Sequence, residues 1–254
     1  TDQAAAIETR DLGALGTASI RALTTAAVAA LTTDQIGVLT TTQVAALATN
    51  QVAALTTDQI AALTSADVGA LGTAQVGAMN TAQVLAIETG DLTALSTGGV
   101  RALTTAAINA MSTDQISVLR TTQIGALSTA QVAAMNTDQV ASLTSTQMGT
   151  LSSAQAAALN TAQAAAIETT DIGQLSTSAI RALSTSAVAA LNTDQLAALT
   201  STQVAALSST QAAALTSNQI TGIETTDLTA LNTASVRSLS TNAINALTTD
   251  QVAV

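Results

Sequence analysis

The sequence predicts an all-α solenoid, a superhelical spiral with one very short helix in each eight-residue repeat and about 3–3.5 repeats per turn. The first observation behind this prediction is an aliphatic residue that recurs every eight residues from Ile7 to Leu247, 31 times, without insertion or deletion. The second is a Thr or Ser in one slot of all 32 copies. The third is a group of charged residues that returns after whole numbers of repeats.

The repeat unit is represented by residues 55–62, and it reads L-T-T-x-Q-V-A-A when the aliphatic residue is position one. A continuous helix turns about 100° per residue, so a period of eight would carry positions one and six around its surface. A strand would place positions six and eight on one face and the next aliphatic residue on the other. The chain also lacks Pro, which β-solenoid corners commonly use. Neither a long helix nor a strand therefore fits the repeat.

A short helix fits, because Ile60 and Leu63 are three residues apart and share one helical face. The polar pair before the helix supplies its N-cap. With Thr56 as N-cap, Gln59 completes a capping box, whereas the constancy of position three favours Thr57. The sequence leaves both possibilities open. Each unit is thus predicted to be about one and a half helical turns followed by a two-residue corner.

One unit cannot be stable alone. Burial of one Leu and one Val contributes roughly 3–6 kcal/mol, while ordering eight residues costs about 8–16 kcal/mol. Stacking on neighbouring units has to supply the difference, which is the principle of a solenoid. Because the repeat is uniform, we expect residues 1–254 to form one continuous array. The chain begins at position three of a unit and without Met, so we expect a segment of a longer array.

Composition excludes several classes of function. The chain has no Cys, His, Lys, Trp, Tyr or Phe, and its net charge is −10 with 6 basic residues. Nucleic-acid binding requires a basic surface, so we expect no nucleic-acid partner. The apolar runs are only a few residues long, so we expect no membrane insertion. No nucleotide-binding or zinc-binding motif occurs, and we expect no cofactor and no enzymatic activity.

A second, longer pattern lies within the repeats. Four segments of 24 residues share an Ile-Glu-Thr-x-Asp start, an Arg 13 residues after the Glu, and no Gln at position five. We name these segments, residues 7–30, 87–110, 167–190 and 223–246, the acid–base blocks. Their charged residues are Glu8, Asp11 and Arg21; Glu88, Asp91 and Arg101; Glu168, Asp171 and Arg181; and Glu224, Asp227 and Arg237.

The favoured interpretation of the blocks is structural. We expect the acidic residues to form ion pairs with the Arg of the same block on the adjacent coil, with small residues such as Ser19 and Ala27 leaving room for the guanidinium. The expected pairs are Glu8–Arg21, Glu88–Arg101, Glu168–Arg181 and Glu224–Arg237. An alternative is a calcium site formed by the Glu and Asp, but Ca²⁺ requires six to eight oxygens and the Arg opposes it. Catalysis is disfavoured, since no His, Cys, Lys or Tyr accompanies the carboxylates.

The spacing of the blocks predicts the number of repeats per turn. The blocks begin at residues 7, 87, 167 and 223, which places them ten, ten and seven units apart. If all blocks share one side, both ten and seven units must be close to whole turns, and about 3.4 units per turn satisfies this. The four Glu would then lie in one longitudinal row.

The Thr and Ser hydroxyls have two interpretations. Regularly spaced hydroxyls could order water or bind ice on an exposed face. Helix capping explains the same residues, and we favour it.

The segment Ala54–Gln59 reads A-L-T-T-D-Q, and similar segments fill the chain. It resembles the Ala/Thr-rich A-L-T-T-x-Q-V-A arrays of very large exported bacterial surface proteins. The resemblance implies an extracellular or cell-surface location and an adhesive or filament-forming role, through self-association or other surface components. We therefore expect a structural spacer or filament. The alternative is an adhesive module that binds a ligand or Ca²⁺ through a row of acid–base blocks.

Overall fold

A computed structural model describes the backbone of residues 2–254 and the side chains of residues 4–254. The described chain consists of short helices and corners, without strands, which confirms the all-α solenoid. The α-helices are Asp2–Ala5, Thr9–Gly13, Thr17–Ala22, Thr25–Ala29, Thr33–Gly37, Thr41–Ala46, Thr49–Ala54, Thr57–Ala61, Ser65–Ala70, Thr73–Gly77, Thr81–Leu85, Thr97–Ala102, Thr105–Ala110, Thr113–Ser117, Thr121–Ala126, Thr129–Ala134, Thr137–Ala141, Ser145–Met148, Ser153–Ala157, Thr161–Ala165, Thr169–Ile172, Thr177–Ala182, Thr185–Ala190, Thr193–Ala197, Ser201–Ala206, Ser209–Ala213, Ser217–Gly222, Thr225–Leu228, Thr233–Ser238, Thr241–Ala246 and Thr249–Val252. Residues Asp91–Ala94 form a 3₁₀ helix.

The N-cap of the helix is position two of the unit. Thr56 adopts extended backbone angles, and its hydroxyl accepts a hydrogen bond from the Gln59 N–H at 3.2 Å. The Gln59 Oε1 in turn accepts from the Thr56 N–H at 2.9 Å, which completes a capping box. The same box recurs with Ser or Asn at position two, as in Asn136 with Gln139. Capping therefore does not explain why position three is always Thr or Ser, and that part of the favoured interpretation is wrong.

Position three is the first residue inside the helix. Thr57 begins its helix and is exposed, so its hydroxyl is not the N-cap acceptor. Position three instead lies beside the helix three units later. A Cβ on Gly98 would lie 2.8 Å from the Thr73 Oγ1, and a Cβ on Gly222 would lie 3.1 Å from the Thr193 Cβ. A short, branched polar residue suits this boundary between turns.

The core is a stack of thin aliphatic layers. In the unit that contains Ile60, both this residue and the following Leu63 are buried. Positions one and six are buried in the same way through most of the described chain. Where position six is Ala, as at Ala156 and Ala164, the residue is still 0% exposed.

Position five joins one turn to the turn before it. The Gln59 side chain is buried, and its Nε2 donates to the carbonyl oxygens of Val28 at 2.9 Å and Leu31 at 2.7 Å. These carbonyls lie 31 and 28 residues earlier in the chain. Each Gln thus accepts from the N-cap N–H of its own helix and donates to the preceding turn; we call this arrangement the Gln clamp. It is formed by Gln35, Gln43, Gln51, Gln59, Gln75, Gln83, Gln115, Gln123, Gln155, Gln163, Gln195, Gln203, Gln211, Gln219 and Gln251.

The contacts between turns fix the number of units per turn. The helix Thr25–Ala29 packs against Thr49–Ala54, three units later. The same helix receives the Gln59 clamp from the helix four units later. A turn therefore contains between three and four units, in agreement with the spacing argument. Contacts divide the chain into two compact units, residues 1–126 and 127–254, and this geometry holds within each. The single array and the single row of Glu remain predictions.

Candidate functional site: the acid–base blocks

The Glu of each block is exposed. Glu8, Glu168 and Glu224 occupy the N-cap position of their helices, and in the described structure these three side chains accept no capping hydrogen bond. Glu88 occupies the same place in its unit and is also exposed. A carboxylate thus replaces the usual Thr, Ser or Asn cap at the entrance of every block, and its charge faces solvent.

In the second, third and fourth blocks the Asp carboxylate contacts the preceding turn. The Asp171 carboxylate is buried and accepts a hydrogen bond from the Ser145 hydroxyl, 26 residues earlier. The Asp227 carboxylate is likewise buried and accepts from Ser201. In the second block the Asp91 carboxylate accepts from Ser65. A charge-assisted bond of this kind is roughly twice as strong as a neutral one, so it partly replaces the Gln clamp.

Sequence reasoning missed these Ser residues, although a signal was present. Position three is Ser in only six units, and every such Ser lies 26 residues before position five of a block unit. The six residues are Ser65, Ser145, Ser153, Ser201, Ser209 and Ser217. Ser, which is smaller than Thr, therefore occurs at position three only in the turn that precedes a block, where it faces position five of the block.

The Arg of each block lies in the last turn of the second block helix and is exposed. Arg21, Arg101, Arg181 and Arg237 share this position. Ion pairs between exposed side chains contribute only about 0–1 kcal/mol, so pairing with the exposed Glu would add little stability. The four expected Glu–Arg pairs stay a prediction.

The later block units carry small residues at position five. Gly99, Ala107, Ala179, Ala187 and Ala243 are buried. In the fourth block the Ser235 hydroxyl donates to the Leu207 carbonyl, 28 residues earlier, at 2.9 Å, as a Gln Nε2 would.

The space beside these small residues is occupied by the preceding turn. A Cβ on Gly99 would lie 3.4 Å from the Val76 Cγ2. The small side chains therefore allow the preceding turn to pack closely, and the Arg side chains of the blocks lie at the surface.

An open hollow of about 780 Å³ lies beside the second block. It is lined by Leu85 and Glu88, among others, on one turn and by Ser112 and Gln115 on the next. Among residues 4–254, no three His, Cys, Asp or Glu side chains come together as a metal site would require. The block surface thus offers separate exposed charges on a regular scaffold.

Comparison with known proteins identifies the repeat. The family model of the ALTTAQ repeat matches residues 4–41, 37–65, 60–86, 84–121, 116–145, 164–201 and 220–254, which together make up well over half of the chain. Comparison with curated proteins gave no match. Within the described residues, no helix is both long enough and apolar enough to cross a membrane. The chain belongs to the ALTTAQ repeat family.

Proposed function

We propose that this ALTTAQ array is a structural, non-catalytic protein that forms an extended spacer or filament at the cell surface or in the extracellular medium. The observation that carries the proposal is that the side chains repeated in every unit make contacts within the array. The Gln59 side chain bonds to the N-cap of its own helix and to the preceding turn, and Ile60 and Leu63 are buried in the core. Among the described residues, no buried side-chain nitrogen or oxygen lacks a hydrogen-bond partner. The repeated groups serve the stacking of turns.

The exterior of the array supports the same function. Outward positions carry mainly Thr, Ser and Ala, and the net charge is −10. Such a surface favours solubility. The absence of Cys makes folding independent of the redox state of the compartment. The resemblance to exported bacterial surface arrays supports the location.

The proposal is tested by location and by length. Protease treatment of intact producing cells should digest the array, while a cytosolic marker should survive. Duplication of residues 88–167, which adds ten units in phase, should lengthen the particle measured by small-angle X-ray scattering and leave its helical signal per residue unchanged. An array that resists protease until the cells are lysed would exclude the extracellular location. A duplication that does not lengthen the particle would exclude a spacer.

The second candidate is an adhesive module, favoured by the exposure of the Glu and Arg in every block. Charged groups repeated on a regular surface suit binding to a charged ligand or to another copy of the array. Calorimetric titration with Ca²⁺ and sedimentation of the chain at increasing concentration separate the possibilities. Saturable Ca²⁺ binding that is lost in Glu168→Gln would favour the module. Concentration-dependent assembly that is unaffected by a chelator would favour the filament.

A further inference from the structure

We propose that the blocks at 167–190 and 223–246 act as yielding joints, at which a turn separates from the preceding turn before the uniform repeats do. The inference concerns a conformational property of the array and does not depend on where the protein is located. It follows from the distribution of hydrogen bonds across the boundaries between turns.

In the uniform repeats, the boundary between turns is closed by the Gln clamp, apart from the unit of Asp67, which carries no amide donor. Gln203 donates to the carbonyl oxygens of Ile172 at 3.1 Å and Leu175 at 2.7 Å. The next unit repeats the arrangement, with Gln211 bound to Ile180 and Leu183. Both acceptor pairs lie within the third block, so its boundary with the following turn is clamped in the ordinary way.

The boundary with the preceding turn is different. Position five of the third block is Asp171, Ala179 and Ala187, so none of its three units has an amide that could donate backward. The bond between Ser145 and Asp171 is the polar link that the structure shows there. In the fourth block the structure shows four links: Ser201 with Asp227, Ser235 with the Leu207 carbonyl, Ser238 with the Ser209 carbonyl, and Ser217 with the Asn242 carbonyl. The three Gln units at Gln203, Gln211 and Gln219 each bind two carbonyls of the preceding turn or more, so the two block boundaries carry fewer hydrogen bonds.

The first helix of both blocks is also short. Thr169–Ile172 and Thr225–Leu228 have only four residues. The N-cap side chains Glu168 and Glu224 supply no capping bond to these described helices. Weak intrinsic helix stability therefore coincides with a weak boundary.

The joints are closed in the folded array. Ala179 and Ala187 are 0% exposed, so the turns remain in apolar contact. Apolar contact is non-directional, whereas the Gln clamp fixes two turns in one register. In a repeat array, stability is approximately the sum of unit and nearest-neighbour terms, so opening begins at the weakest boundary. The joints would divide the array into segments that open in sequence.

Native-state hydrogen exchange read by mass spectrometry tests the proposal on the full chain. Helix amides of the third block, such as those of Ile180 and Val188, should exchange roughly tenfold faster than the equivalent amide of Val204. A tenfold difference corresponds to the net stabilisation by about one hydrogen bond. Equal protection of block and uniform helices, within a factor of about three, would overturn the proposal.

Two variants make the test independent of the sequence context of the block. Gln203→Ala removes one clamp from the uniform repeats and should lower protection around residues 172–206 by roughly tenfold. Ser145→Ala removes the remaining polar link under the third block and should lower protection of that block further. The exposed change Asp194→Ala is the matched control and should alter neither region. A Gln203→Ala protein that exchanges like the unmodified chain would show that the clamp does not hold the turns, which would also overturn the proposal.

Discussion

Removal of a single Gln clamp is the sharpest test of how the array is held together. Gln59→Ala deletes the acceptor of the Thr56 N–H and the donor to the Val28 and Leu31 carbonyl oxygens. The Val28 carbonyl keeps its bond from the Leu31 N–H at 3.2 Å. The Leu31 carbonyl loses a buried partner, and the Thr56 N–H, on an exposed residue, loses a part-buried one. A buried group without a partner costs roughly 1–3 kcal/mol and an ordinary hydrogen bond contributes about 0.5–1.5 kcal/mol, so we expect a loss of about 1.5–4.5 kcal/mol.

The measurement is urea denaturation followed by far-UV circular dichroism, fitted with a nearest-neighbour model for repeat arrays. The matched control is Asp58→Ala, an exposed neighbour in the same helix, for which we expect a change within about 0.5 kcal/mol. The reciprocal change is Asp67→Gln, because Asp67 accepts from the Thr64 N–H at 3.1 Å but carries no amide donor. It should stabilise the array by about 1 kcal/mol. Equal effects of Gln59→Ala and Asp58→Ala would refute the reasoning.

Three further predictions follow from the caps and the blocks. Thr56→Ala removes the N-cap acceptor and should lower the free energy of unfolding by about 0.5–2 kcal/mol, whereas Thr57→Val should have a clearly smaller effect in the same denaturation assay; the opposite order would mean that position three is the cap after all. Ser145→Ala should cost about 1.5–3 kcal/mol, since it removes a bond to the buried Asp171 carboxylate, and a loss no larger than that of an exposed Ser would contradict the observed contact. Arg181→Ala should cost no more than about 1 kcal/mol, and addition of Ca²⁺ or a chelator should leave the melting temperature unchanged; a larger loss would show a desolvated ion pair, and a chelator-dependent melting temperature would show a metal site.

The distribution of the blocks shows how a uniform array acquires local differences. Each block replaces a neutral amide with a carboxylate or a small residue at position five, and it changes the hydroxyl residue 26 positions earlier from Thr to Ser in several units. Ser145 with Asp171 and Ser201 with Asp227 illustrate the paired change. Since the two positions belong to different turns, the change is a property of the boundary between turns and not of either unit alone.

The octapeptide by itself determined the secondary structure and the fold class. The three-residue spacing of Ile60 and Leu63 and the polar pair before them fix a short capped helix, because these signals act within one unit. The phase of the blocks also predicted about 3–3.5 units per turn, and the contacts place the number between three and four. Local chemistry and counting were sufficient for these results.

Only the tertiary structure decided which Thr is the cap and what the Gln does beyond its own helix. Thr56 and Thr57 both carry a hydroxyl within reach of the first helical turn, and the backbone angles of the corner select Thr56. The second role of Gln59, with acceptors 31 and 28 residues earlier, depends on how far each helix is rotated from the next. That rotation is set by the packing of aliphatic layers between turns, a non-local quantity that no eight-residue pattern contains. The Ser145–Asp171 contact required the structure for the same reason, since it joins residues brought together only when a turn is completed.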